Sequence, residues 1–207
     1  MNIITVSREF GSGGRELGKR LADILGYDYY DREIITAIAK ENNLDSDYVE
    51  FVLENNTWQT VPLTFRQSFT SQAVLNNPAT EVLLAQKKLL DSIAKSGKNC
   101  VIVGRNADIL LKDHNPLNIF VCADIASKIS RCRDYSSSDE QLSEKAMRKK
   151  IKKIDKNRAL TREMLSGGKW GERTEYHLTV NTTGWAIKEL APCIAQYAIA
   201  WFSREKL

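Results

Sequence analysis

Between residues 7 and 17 the chain reads Ser-Arg-Glu-Phe-Gly-Ser-Gly-Gly-Arg-Glu-Leu. Gly11, Gly13 and Gly14 would weaken a helix or strand interior, so this stretch predicts a turn. Its flanks set the kind of turn. Asn2-Ile3-Ile4-Thr5-Val6 is apolar and rich in β-branched residues, as in a buried strand. Beyond the glycines, Leu17, Leu21, Ile24 and Leu25 recur at helical spacing and Gly26 suits the helix end. A strand-to-helix turn of this kind presents the unpaired N–H groups of the first helical turn, and the helix dipole adds partial positive charge. Phosphate is the ligand that such a turn fits. The plainer alternative is a turn that only connects the two elements.

Laid on the phosphate-loop pattern G-x-x-x-x-G-K-[ST], the chain puts Glu9 at the first glycine, Gly14 at the second, Arg15 at the lysine and Glu16 at the hydroxyl position. Gly11, Ser12, Gly13 and Gly14 are then the candidate phosphate cradle. Arg15 keeps the lysine's charge and adds a bidentate fork. Glu16 cannot copy the hydroxyl that usually meets Mg²⁺, but its carboxylate can hold a magnesium ion directly or through water.

At 207 residues the chain is expected to form one compact domain with a full core. No apolar run is long enough to span a bilayer, and the N-terminus enters a strand without a signal-peptide pattern. The expectation is a cytoplasmic protein without a membrane partner. Cys100, Cys122, Cys132 and Cys193 are scattered, with no C-x-x-C pair, and His114 and His177 are the only histidines. That disfavours a zinc site or a Ser-His-Asp triad. Cys100 and Cys122 lie in apolar runs and read as small buried hydrophobes. The net charge of +4 is mild, yet residues 145–158 are strongly basic. Such a run is commonly a solvated helix face. A nucleic-acid partner is disfavoured because the run lacks interleaved aromatics.

The rest of the chain alternates strands and helices. Strands are predicted at 27–30, 99–103, 117–122 and 176–180, and helices at 34–39, 79–96, 126–133, 140–165 and 186–202. A short helix is predicted up to Leu111, and a further one from about 44 to 53. Residues 55–78 are polar with isolated aromatics. Alternation of this kind predicts an α/β fold with a parallel central sheet and helices on both faces. Ligands in such sheets bind at the carboxyl ends of the strands. Arg15, Asp31-Arg32 and Arg105-Asn106 all follow predicted strands. That coincidence weighs more than any one motif.

At these residues the chain resembles the P-loop nucleoside monophosphate kinases, and the cytidylate kinases in particular. Val101-Ile102-Val103-Gly104-Arg105-Asn106 followed by Leu117-Asn118-Ile119-Phe120-Val121 is similar to that family's strand ending in Gly-Arg-Asp and its next strand. Thr5 to Glu16, with Ile154-Asp155-Lys156-Asn157-Arg158-Ala159 and Gly168-Lys169-Trp170-Gly171, resembles the divergent cytidylate kinase-like branch. The resemblance covers nearly the whole chain and is weakest across 44–78.

It implies a three-layer P-loop kinase fold over residues 1–207, with an acceptor-covering insert at about 31–78 and a helical lid at about 134–173. It further implies a nucleotide-binding kinase that uses ATP with Mg²⁺ and transfers the γ-phosphoryl group to a nucleoside monophosphate such as CMP. On that reading Arg15, Arg105 and Arg158 are catalytic. Asp31, Arg32, Arg105 and Asn106 hold the acceptor, and Arg131, Arg133, Lys156 and Arg158 serve the lid. Asn106 stands where the family carries aspartate, so pyrimidine recognition does not transfer directly. Two alternatives stay open: a kinase for another small metabolite, and a nucleotide-binding protein without catalysis. Neither the acceptor nor the oligomeric state is written in the sequence.

Overall fold

The computed structural model describes residues 1–41, 45–47, 49, 78–135 and 142–204, with the backbone alone at 32, 33, 35 and 78–80. Most of the expected acceptor-covering insert lies outside the described residues. So does the expected helix at 44–53, apart from isolated positions.

The elements run β1 (Ile3–Arg8), α1 (Gly14–Leu25), β2 (Asp28–Tyr30), α2 (Arg32–Glu41), α3 (Pro78–Lys95), β3 (Cys100–Val103), α4 (Ala107–Leu110), β4 (Leu117–Cys122), α5 (Ile125–Asp134), α6 (Glu144–Ser166), β5 (Leu178–Asn181) and α7 (Ile187–Ser203). The strands form one sheet in the order β2-β3-β1-β4-β5, and every pairing is parallel. β1 is central, with β3 on one side and β4 on the other. The sheet therefore switches direction at β1, which opens a crevice beyond its carboxyl end.

Side-chain alternation assigns the two faces of the sheet. Ile3, Cys100 and Ile102 pack with Ile34, Ile38, Val82, Leu90 and Ile93 from α2 and α3. Ile4, Val6, Val101 and Val103 pack with Leu17, Leu21, Ile187, Ala191 and Ala195 from α1 and α7. Ile129, Met147 and Ile151 form a smaller cluster between α5 and α6. The expected parallel sheet with helices on both faces is what the chain adopts. Cys100 is buried as expected, while Cys122 is half-buried.

Several boundaries differ from the sequence reading, three of them at the site. β1 continues past Val6, because Ser7 and Arg8 pair with Phe120 and Val121 of β4. α1 starts at Gly14 instead of Leu17, with the left-handed Gly13 as its N-cap. α6 starts at Glu144 instead of Glu140, where Ser143 accepts a hydrogen bond from the Ala146 N–H at 3.3 Å. Among the described residues, no helix is long and apolar enough to cross a membrane.

Candidate active site

The glycine stretch folds as a loop over the carboxyl end of β1. Gly11 and Gly13 have φ of 77° and 81°, a region in which a Cβ is strained. Neighbouring groups leave no space there either. A Cβ at Gly11 would stand 2.9 Å from the Lys128 carbonyl oxygen, and one at Gly13 would stand 2.5 Å from Ile187 Cδ1. Ser12 is fully buried. Its hydroxyl donates to the Glu9 carbonyl at 2.8 Å, and its own carbonyl accepts from Thr182 Oγ1 at 2.7 Å. Ser12 thus shapes the cradle with its side chain turned inward.

Glu9, at the position of the pattern's first glycine, anchors the loop. Its carboxylate accepts from the Ala123 N–H at 3.2 Å and pairs with Lys128 Nζ at 2.6 Å. Lys128 also meets Asp155 of α6 at 3.0 Å, and Asp155 accepts from the Phe10 N–H at 2.7 Å. Burial alone would lower the Lys128 pKa, but the two carboxylates outweigh it and hold the ammonium above the ordinary lysine value. Burial pushes Asp155 up, against the Phe10 N–H and the Lys128 charge. One buried lysine therefore joins the loop, α5 and α6.

Over the loop lies a cavity of about 990 Å³. Gly11, Gly13, Gly14, Arg15, Lys19, Arg20, Arg131, Lys150 and Arg158 all border it. Arg8 borders it too, as do Glu9, Glu16 and Asp23, so seven cationic side chains face three carboxylates. The loop is its floor, and the net positive wall suits a polyphosphate. A smaller cleft of about 40 Å³ opens beside it, bordered by Ser7, Arg8, Gly104, Arg105, Asn106, Arg158 and Trp170. Arg8 and Arg158 border both spaces.

The turn after β3 that carries this cleft is firmly built. Arg105 is buried and sits at φ 60°, with Asn106 at 51°. The Arg105 carbonyl accepts from the buried Gln86 side chain. Asp108, in the first turn of α4, pairs with the buried Arg162 of α6, which also meets Glu175 at 3.1 Å. The Arg162 guanidinium lies 4.9 Å over the Tyr176 ring. Non-glycine residues held at positive φ in a braced turn mark a backbone shape that the surroundings impose.

The structure brings many of the predicted residues together. Arg15 Nε reaches Asp31 at 2.6 Å, while its side chain stays 53% exposed at the cavity edge. Arg158 donates to the Arg8 carbonyl at 3.1 Å and stands 5.9 Å from the Phe10 ring. Arg131 borders the cavity, but its Nη2 is spent on the Thr182 and Trp185 carbonyls at 2.5 and 3.1 Å. Glu16 accepts from Arg20 Nε at 2.7 Å and from the Tyr135 hydroxyl at 2.8 Å. Arg133 faces Glu144 at 3.8 Å and borders neither space, and Lys156 is exposed and borders neither. The side chain of Arg32 lies outside the described residues.

Sequence reasoning missed Arg8, Lys128 and Lys150. Arg8 reads as a polar residue of the loop, and only the strand pairing of Arg8 with Val121 shows it to be part of β1. The run Lys149-Lys150 gave no sign of which lysine faces inward, and only Lys150 borders the cavity.

Comparison with solved structures places this architecture among P-loop kinases. An uncharacterized protein from Eubacterium ventriosum ATCC 27560 superposes with TM-score 0.70 at 23% identity, covering 99% of this chain and 100% of that one. Shikimate kinase from Acinetobacter baumannii gives 0.52 at 15% identity over 98% and 95% of the two chains. A gluconokinase from Sinorhizobium meliloti 1021 gives 0.51 at 14% over 98% and 93%. At these identities the likeness is one of fold. No curated protein matches the chain by sequence. The cytidylate kinase-like family model, in contrast, matches residues 3–184. With the glycine cradle, the cationic cavity and the Arg105 turn lying inside that span, the chain belongs to the cytidylate kinase-like family.

Proposed function

We propose that this chain is a cytoplasmic phosphotransferase that moves the γ-phosphoryl group of ATP to a nucleoside monophosphate such as CMP. One observation carries the reading: the cationic cavity over the glycine loop and the Arg105 cleft adjoin, with Arg158 on the wall of both. The loop amides take the donor's phosphates, with Arg15 and Lys150 at the cavity wall. On this reading Arg105 and Asn106 take the acceptor's phosphate, and Asp31 and Arg32 are the further acceptor-holding residues. On the same reading residues from about 134 to 173 act as the lid, and those from about 31 to 78 cover the acceptor.

In the transfer, an oxygen of the acceptor phosphate forms a bond to the γ-phosphorus. The bond from that phosphorus to the β,γ-bridging oxygen breaks, and its electron pair stays with ADP. A phosphate oxygen is largely ionised at neutral pH, so the acceptor needs no general base. The site fits that demand, since Asp31, the carboxylate beside the loop, already pairs with Arg15 at 2.6 Å. Transfer then rests on positioning and on positive charge around the migrating group.

Kinases of this fold generally use ATP with Mg²⁺. Among the described residues no three or more of His, Cys, Asp and Glu gather as a metal site, and both Glu16 oxygens are engaged. Mg²⁺ is ordinarily held by one or two carboxylates together with substrate phosphates and water, so a ligand set made by the protein alone is not what the ion requires here.

A kinase for another small metabolite is the second reading. It is favoured by Asn106, which occupies the cleft where aspartate was expected. Turnover of ATP and GTP against the common monophosphates separates the two. In the same assay Arg105→Ala should raise the acceptor KM by about 10²-fold, the cost of a lost charged contact, and leave ATP affinity within about threefold. Equal loss for donor and acceptor would reject the assignment of Arg105.

A further inference from the structure

We infer that Arg8 is a catalytic residue of the transfer, its guanidinium touching the phosphoryl group as it passes between the two spaces. The inference rests on the kinase reading above and adds a buried cation to the half-exposed Arg15 at the lysine position.

The placement comes first. Arg8 ends the central strand and borders both the donor cavity and the acceptor cleft. Arg15, which takes the lysine's place in the pattern, is half exposed and turned to Asp31. Arg8 is 10% exposed and faces the other oxygen of the same carboxylate at 3.6 Å. Asp31 thus aims two arginines, and the buried one stands between the two spaces. A charge in a water-poor site acts more strongly on a developing anion than an exposed one does.

Space has been cleared for this side chain from two directions. A Cβ at Gly14 would stand 2.5 Å from Arg8 Cβ, and a Cβ at Gly104 would overlap the guanidinium itself. Gly14 belongs to the phosphate loop and Gly104 to the acceptor turn. Both lack a side chain where the Arg8 side chain passes. The Arg8 carbonyl is in turn held by Arg158 from α6 at 3.1 Å, which brings the two arginines side by side between the spaces.

In the step, the acceptor oxygen bonds to the γ-phosphorus while the β,γ-bridging oxygen leaves with its electron pair on ADP. Arg8 gains and loses no proton. Its N–H groups donate to the equatorial oxygens of the migrating group, where charge accumulates.

The plainer role for Arg8 is a structural ion pair with Asp31, and the test separates the two. Arg8→Met and Arg8→Lys are compared with wild type in steady-state kinetics and in direct binding of ADP alone and of ADP with aluminium fluoride, a mimic of the group in flight. Arg8→Met should lower kcat by about 10²–10³-fold, with both KM values within about threefold of wild type. It should bind ADP normally and lose the extra affinity that wild type has for the aluminium fluoride complex. Arg8→Lys should fall between the two, because it keeps the charge without the fork. Unchanged kcat, or ADP affinity lost in step with kcat, overturns the inference. Should Arg8→Met not fold, Arg8→Lys carries both measurements. If wild type uses no monophosphate at all, the acceptor reading fails alone, and the aluminium fluoride comparison still decides the role of Arg8.

Discussion

Glu16 stands where a phosphate loop ordinarily has a hydroxyl, and its surroundings say how a carboxylate is tolerated there. Arg20 and Tyr135 each donate to one of its oxygens, and the hydrogen bond to Glu16 is the main cause that raises the Tyr135 pKa. So held, Glu16 complements the positive end of α1, a contribution of about 0.3–1 kcal/mol. Glu16→Gln should therefore keep the whole Mg²⁺ dependence of ATP affinity, measured by titration with and without the ion. A mutant that binds ATP equally in both conditions would make Glu16 a metal ligand after all. Arg15 shows why such details escape a sequence. The register against the loop pattern put its charge at the phosphates, and the residue does border the cavity. Its partner Asp31 belongs to the turn after β2, and nothing local in either segment announces that contact.

α6 carries much of the proposed lid, and the described contacts say which part of it is fixed. Asp155 accepts from the Phe10 N–H, Arg158 donates to the Arg8 carbonyl, and Arg162 pairs with Asp108. These residues are three or four apart, so one stripe of the helix grips the sheet end. Met147 and Lys150 precede that stripe and border the cavity. The basic run was legible as a helix, and most of its charge is solvent-exposed as expected. The grip was not legible, because its partners come from β1, the loop and α4. Asp155→Ala should remove the staple, leaving the Phe10 N–H without its acceptor and Lys128 with Glu9 alone. The expected cost is about 1–3 kcal/mol in denaturant unfolding, or about 2–4 °C of Tm per kcal/mol. A loss below about 0.5 kcal/mol, the level of an ordinary surface change, would show that α6 is held by apolar packing and not by this contact.

Across the whole molecule the parallel sheet was readable from alternation, whereas the order β2-β3-β1-β4-β5 was not, since local pattern does not say which way each crossover turns. The order matters for stability as well as for the site, because it buries titratable groups at the amino end of β3 and near the Arg105 cleft. Tyr176 packs on Phe120 at 4.9 Å, and Trp170 meets the same ring at 5.3 Å. Burial first, and then the charge of Asp108, push the Tyr176 phenol up to about 12 from 10.0. Burial likewise raises the Cys100 thiol in β3 from 9.0 to about 11. Both shifts are upward, so the stability tied to them is complete below the unfolded values and is lost as pH rises through the folded ones. In the unfolded chain Cys100 ionises from pH 9.0 and Tyr176 from 10.0, while the fold holds both protonated to about 11 and 12. Unfolding free energy should accordingly fall on the alkaline side, by about 2–3 kcal/mol for each group across its window. Tyr176→Phe should flatten the part of that fall above pH 10.0, seen as a smaller drift of the urea midpoint with pH, and Cys100→Ala the part that begins at 9.0. If the Tyr176→Phe curve runs parallel to wild type through that range, the phenol is not held neutral by the wall of the acceptor cleft. The packing of Tyr176 against Phe120 and Arg162 would then have to open before the chain unfolds.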